Sequence, residues 1–218
     1  MSNKKTINGV ISKKENLFRN FTLVCACALL YTYVRYIVFG NVAYEQLPVF
    51  LLNKALSMCS VLCLFVTSIY YMQGQHMIKK IKFWGKAALQ TAYLHIALSL
   101  TIVSKSYYPK FFGDLKMNAT GEVIILVGLI AAYCFWLLDN PKKSIVKIHT
   151  LQILASIFII IHLVVMGYSG WLTVYKWNGG LPPISLVSVT FAIMSLLLFT
   201  ISKKKVFLNE EPTLNSSY

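Results

Sequence analysis

His149 and His162 stand thirteen residues apart inside one long apolar stretch, and His95 lies in the middle of another. A histidine within a membrane-length apolar segment is costly to place there and marks a functional contact by default. Neutral imidazole is also the common axial ligand that helical bundles offer to haem iron. Three such residues on two segments point towards electron transfer across a membrane. The fourth histidine, His76, sits in the polar stretch QGQHMIKK and reads as a solvated loop residue.

The elements that must position these residues are apolar helices. Of the 218 residues 57% are hydrophobic and only 13% charged, whereas a soluble domain carries about a quarter charged residues. Six runs are long enough to cross a hydrocarbon core, which takes about 20 residues. They fall near residues 18–39, 49–72, 83–103, 122–139, 145–168 and 184–202. The fold expected is an all-α polytopic membrane protein, a six-helix bundle over residues 18–202. Residues 1–17 form a cytoplasmic N-terminal segment and 203–218 a cytoplasmic tail, whose end NEEPTLNSSY reads as polar and disordered. The first run exceeds the roughly 7–15 residues of a signal-peptide core, so it is expected to remain as a span. Between the fourth and fifth runs Pro141 ends the helix, and Lys142 and Lys143 hold the turn in water.

Orientation follows from lysine and arginine. Fifteen lie on one side, in clusters around Lys4–Arg19, Lys79–Lys86, Lys142–Lys147 and Lys203–Lys205. Six lie on the other: Arg35, Lys54, Lys105, Lys110, Lys116 and Lys176. The positive-inside rule makes both termini cytoplasmic, with odd-numbered spans running outward. The formal charge of +14 is thus loop charge, which argues against a nucleic-acid role. The outward loops carry Tyr107, Tyr108, Trp171, Tyr175 and Trp177, which suit an interfacial aromatic belt.

Spans three and five both run outward, so depth can be counted from their cytoplasmic lysines. His95 is thirteen residues beyond Lys82, and His162 is fifteen beyond Lys147. Both therefore lie roughly 20 Å from the cytoplasmic edge, matched to about 3 Å. Two imidazoles at one depth can hold one haem iron from both sides, which closes the axial positions and favours electron transfer over oxygen chemistry. His149 lies roughly 20 Å of rise from His162 and cannot share its iron. A second site at the depth of His149 would need a partner near position 82, which is lysine. Each histidine also has a plainer reading, as a hydrogen-bonding contact between helices or, for His149, an interfacial cap.

Other chemistry finds little support. Cys25, Cys27, Cys59, Cys63 and Cys134 all fall inside apolar runs without a C-x-x-C pair, and free cysteine packs as a small hydrophobe. The seven carboxylates, Glu15, Glu45, Asp114, Glu122, Asp139, Glu210 and Glu211, all avoid mid-membrane depth. Proton-coupled transport and paired-carboxylate hydrolysis lose their usual groups. No G-x-G-x-x-G follows a strand, so nucleotide and flavin binding would belong to a partner.

These motifs resemble the ferric reductase-like transmembrane domain family, and within it the MsrQ/YedZ haem b membrane subunits of periplasmic methionine sulfoxide reductase systems. The likeness lies in KKIKFWGKAALQTAYLHIALSL, with Lys79-Lys80, Gly85 and His95 in the family's order. PKKSIVKIHTLQILASIFIIIH repeats its two histidines thirteen apart after a basic loop, and LLNKALSM is similar to its second-span start, with Asn53 in place of glycine. The likeness covers roughly residues 49–168; the family's loop arginines are lysines here. It implies that His95 and His162 ligate one haem b on the outward side, with His149 near a cytoplasmic site of electron uptake. Arg35 and Lys54, near the outward ends of their spans, would then meet the haem propionates as charge-assisted partners. Simple snorkelling to the interface is the other reading of both.

The function expected is a transmembrane electron-transfer protein of the bacterial inner membrane. A cytoplasmic flavin reductase or quinol would donate, placing FMN or quinone near the cytoplasmic side. A periplasmic reductase partner or ferric iron would accept. The alternative is a non-redox polytopic protein, a small transporter or assembly factor, whose histidines only pack.

Overall fold

In lipid a backbone must satisfy its own N–H and C=O groups, and an unbroken apolar run does so as a helix. The structure, a computed structural model, describes residues 2–40, 42, 47–114 and 116–210, with side chains between 16 and 202 except 48–50 and 75. Helices make up 85% of it, with no strand among the described residues. In chain order they are α1 (Ser2–Tyr33), α2 (Leu47–Gln73), α3 (Ile78–Ile102), α4 (Ala119–Asp139), α5 (Ile148–Trp171) and α6 (Ile184–Glu210). Every apolar run has become one helix. The ends of α1 and α6 extend into the basic flanks because no proline stops them before Pro212. Part of the segment expected as tail is therefore helical, and residues 211–218 lie outside the described residues, as does Glu45.

Five segments are long and apolar enough to cross a membrane: Asn16–Val38, Leu51–Gln73, Ala119–Asp139, Ile148–Trp171 and Asn178–Ser202. The chain is a multi-pass membrane protein. The exception is α3, whose 25 residues include Lys86, Gln90, Thr91, His95 and Ser99. These polar groups and the lysines of its first turns lower its hydropathy, and two of them, His95 and Ser99, face the site described below.

Local sequence sets the breaks. Asn118 caps α4, its side chain accepting from the Gly121 N–H at 3.0 Å, and Glu122 stands in the first turn where a helix favours negative charge. At the other end Asn140 Nδ2 donates to Trp136 O at 3.0 Å, and Pro141 opens a separate turn. After α1 the backbone widens into a π-helical turn, Val34–Val38, a form that tends to occur at functional positions. That turn is fastened to the segment before α6. Tyr31 OH donates to Pro182 O at 2.7 Å, the Arg35 guanidinium donates to Leu181 O, and Asn178 Nδ2 donates to Arg35 O at 3.4 Å.

Helices α2 to α6 close into a ring. Contacts run from α3 to α2, α2 to α6, α6 to α5 and α5 to α4, and a thinner α4–α3 seam completes it; α1 packs outside on α2. Small residues allow close approach where helices meet, as expected when packing rather than hydrophobic expulsion drives association. Ala87 and Ala88 of α3 are buried, and Ser60 Oγ of α2 donates to Ala88 O at 2.9 Å. Cys25 and Cys59 thiols touch at 2.9 Å between α1 and α2. Leu23, Leu30, Leu94, Leu126, Tyr133 and Leu197 stay exposed on the outer surface, where lipid takes the place of a partner.

Candidate functional site

The ring encloses a cavity of about 640 Å³ that reaches from mid-helix depth to the loops after α3 and α5. His95 and His162 both line it, on helices standing on opposite sides of the ring. The depth match counted from the lysines thus corresponds to two imidazoles on one cavity.

Their hydrogen bonds define which nitrogen each ring keeps free. His95 Nδ1 lies 2.6 Å from Asn53 Oδ1 and 3.1 Å from Asn53 O, both acceptors, so the proton belongs on Nδ1. Asn53 is itself 1% exposed and held on both sides: Ser99 Oγ donates to its Oδ1 at 3.1 Å, and its Nδ2 donates to Tyr108 OH at 3.2 Å. His162 Nδ1 donates to Ile124 O of α4 at 2.9 Å. In both rings Nε2 keeps its lone pair. An N–H fixed on a carbonyl with the other nitrogen free is the usual support of a metal-ligating histidine. Gly128, one turn along α4 from Ile124, makes room for the His162 ring: a Cβ there would sit 3.1 Å from Nδ1.

Arg35 and Lys54 line the same cavity. Arg35 is 7% exposed and its Nε has no hydrogen-bond partner, so it is no snorkelling side chain at an interface. Lys54 is half-buried, with its ammonium 5.6 Å from the Tyr108 ring centroid. The remaining walls are mostly apolar, from residues such as Val61, Ile96, Ile125, Ile159 and Leu163, with Ser57, Ser60 and Ser169 among them.

His149 is not part of this group. Its Nε2 donates to Phe199 O of α6 at 3.0 Å, engaging the nitrogen that the other two leave free. Its ring rests 6.3 Å from that of Tyr71, which meets Phe199 edge-on at 5.5 Å. His76 is exposed in the turn before α3. Among the described residues no group of three His, Cys, Asp or Glu could hold a bare metal ion. A pair of imidazoles suits iron whose other four ligands come with a macrocycle.

Asn53, Ser99, Gly128, Lys110 and Lys176 went unassigned in the sequence reading. A buried asparagine in an apolar span was the one signal available for the first of these. No protein-family model matches the chain, and no curated protein matches it. The resemblance therefore rests on the quoted motifs alone.

The donor set fits a haem. The cavity lies within the roughly 300–1,000 Å³ of ligand sites. Two imidazoles on one cavity offer Nε2, the walls are mostly apolar, and a buried guanidinium with an orphaned Nε lines the same cavity. A planar dianion with an apolar body matches all four features.

Proposed function

We propose that the chain is a six-span cytochrome b that carries electrons outward across a bacterial inner membrane, with both termini cytoplasmic. The carrying observation is the shared tautomer of His95 and His162: Nδ1–H committed to a carbonyl, Nε2 free, on one cavity. In this reading α3 is the sixth span, its polar face turned to the cavity, supported by its extensive packing on α2.

His95 and His162 would hold a haem b, which would supply reversible one-electron transfer. The chain's own residues do the rest. His95 and His162 would hold the group through Nε2, the nitrogen their Nδ1 hydrogen bonds leave free. Asn53, Ser99 and the Ile124 carbonyl hold the rings in orientation and raise their basicity. Arg35 and Lys54 offset the carboxylates of the group, which would otherwise be costly at that depth. The apolar walls exclude water. The donor would be a cytoplasmic flavin reductase or quinol, and the acceptor a periplasmic redox partner or ferric iron. His149 would serve only to join α5 to α6 near the donor side.

Purified protein, expressed with ample haem supply, tests this by its reduced-minus-oxidised spectrum. A b-type α-band lost in His95→Ala and in His162→Ala is expected. A colourless preparation would instead leave a non-redox membrane protein with packing histidines.

A further inference from the structure

Four basic side chains line the cavity, Arg35, Lys54, Lys110 and Lys176, and no Asp or Glu does so among the described residues. They form two tiers. Arg35 is buried and Lys54 half-buried, whereas Lys110 and Lys176 are exposed at the mouth. The two outer lysines come from separate turns, Pro109–Phe111 and Val174–Lys176, and line the same cavity.

Of the two outer ammonium groups, that of Lys110 is fixed by a backbone partner and that of Lys176 stands exposed beside its neighbouring ring. Lys110 Nζ donates to Met166 O and sits 4.7 Å from the Phe111 ring centroid. Lys176 Nζ lies 5.6 Å from the Tyr175 ring centroid. A carbonyl and two aromatic faces steady these cations but bring no formal negative charge. Partial burial of the Lys110 ammonium against Met166, and then the Lys54 ammonium, hold it below the ordinary lysine pKa range even though the residue as a whole is exposed. The one ion pair among the described residues, Lys105–Asp114 at 4.0 Å, uses neither lysine. Clustered like charge of this kind focuses a field that attracts counter-ions.

We infer that the outward mouth binds a small polyanion of the carboxylate or phosphate class between Lys110 and Lys176. The inner pair, Arg35 and Lys54, already matches two carboxylates of a haem, so the outer pair is left for a second anion. The division into inner and outer pairs rests on the cytochrome reading, whereas the four cations lining one cavity do not. The anion is either a free solute or the headgroup of an acidic lipid.

The test uses the full chain in phosphatidylcholine nanodiscs, with haem content read separately by absorbance. Citrate and pyrophosphate are titrated calorimetrically, with glycerol as neutral control. Wild type is expected to bind the two anions and not glycerol, with affinity falling about tenfold for each lysine replaced by glutamine, or about 1.4 kcal/mol per step. Lys176→Gln keeps the test valid if Lys110→Gln, which also loses the Met166 contact, fails to fold. A second arm compares melting in discs with and without phosphatidylglycerol. Stabilisation by that lipid, erased in the double variant, assigns the site to a headgroup; binding of citrate or pyrophosphate assigns it to a solute. If neither anion binds and the acidic lipid changes nothing, or if the variants match wild type, the inference fails. A colourless protein that still binds citrate would sink the cytochrome reading alone.

Discussion

Replacing Asn53 by alanine isolates the support of one proposed ligand from the ligand itself. The side-chain oxygen at 2.6 Å is the closest acceptor of the His95 Nδ1–H, and the backbone oxygen at 3.1 Å remains after truncation. Loss of such a support typically costs 10–100-fold in affinity. With one acceptor kept, the expected loss is at the lower end, about tenfold or about 1.4 kcal/mol. Ser99 Oγ, 3.5 Å from Nδ1, is freed from Asn53 and can turn to accept. The double variant Asn53→Ala with Ser99→Ala is therefore expected to lose more haem than either single variant. A less basic imidazole stabilises ferric iron less, so the midpoint potential should rise in the same order. Haem transfer to apomyoglobin measures retention, and a redox titration measures the potential. Retention and potential unchanged in Asn53→Ala, in protein that loses its haem in His95→Ala, would refute the assigned role.

Four further substitutions follow from the packing. Gly128→Ala puts a Cβ 3.1 Å from His162 Nδ1 and should strain that ligand, lowering haem content, whereas Gly170→Ala meets open space and should be silent in the same assay. Gly167→Ala would drive a Cβ into Ser185, whose hydroxyl accepts from Trp171 Nε1 at 2.9 Å. Overpacking of this kind costs about 1–3 kcal/mol, visible as a lower melting temperature in detergent. His149→Ala removes one bond to Phe199 O, so a stability loss of about 0.5–1.5 kcal/mol with an unchanged haem spectrum is expected.

Much of this was legible in the residues. Apolar length gave the helices, since lipid leaves the backbone one solution. Counting from Lys82 and Lys147 brought His95 and His162 to one depth because parallel helices share a rise per residue. What stayed hidden depends on which helices touch. Asn53 becomes the acceptor for His95 only because α2 lies on α3, and Gly128 faces His162 only because α4 lies on α5. Lys110 and Lys176 looked like ordinary loop charge until two turns set them over one cavity. His149 had no partner at position 82, and its bond to Phe199 gives it a different task. The polar residues of α3 illustrate a conflict between levels: its lysines and Gln90 lower its hydropathy most, while His95, which lowers it too, is one the site uses.

The central claim is one iron held between two imidazoles. Low-temperature electron paramagnetic resonance of the oxidised protein, with haem quantified per chain, tests it most directly. One haem per chain with a low-spin ferric signal is expected, converted to high spin or lost when either His95 or His162 becomes alanine and retained in His149→Ala. A high-spin signal in the wild type, or a low-spin signal that survives loss of His95 or His162, would contradict it.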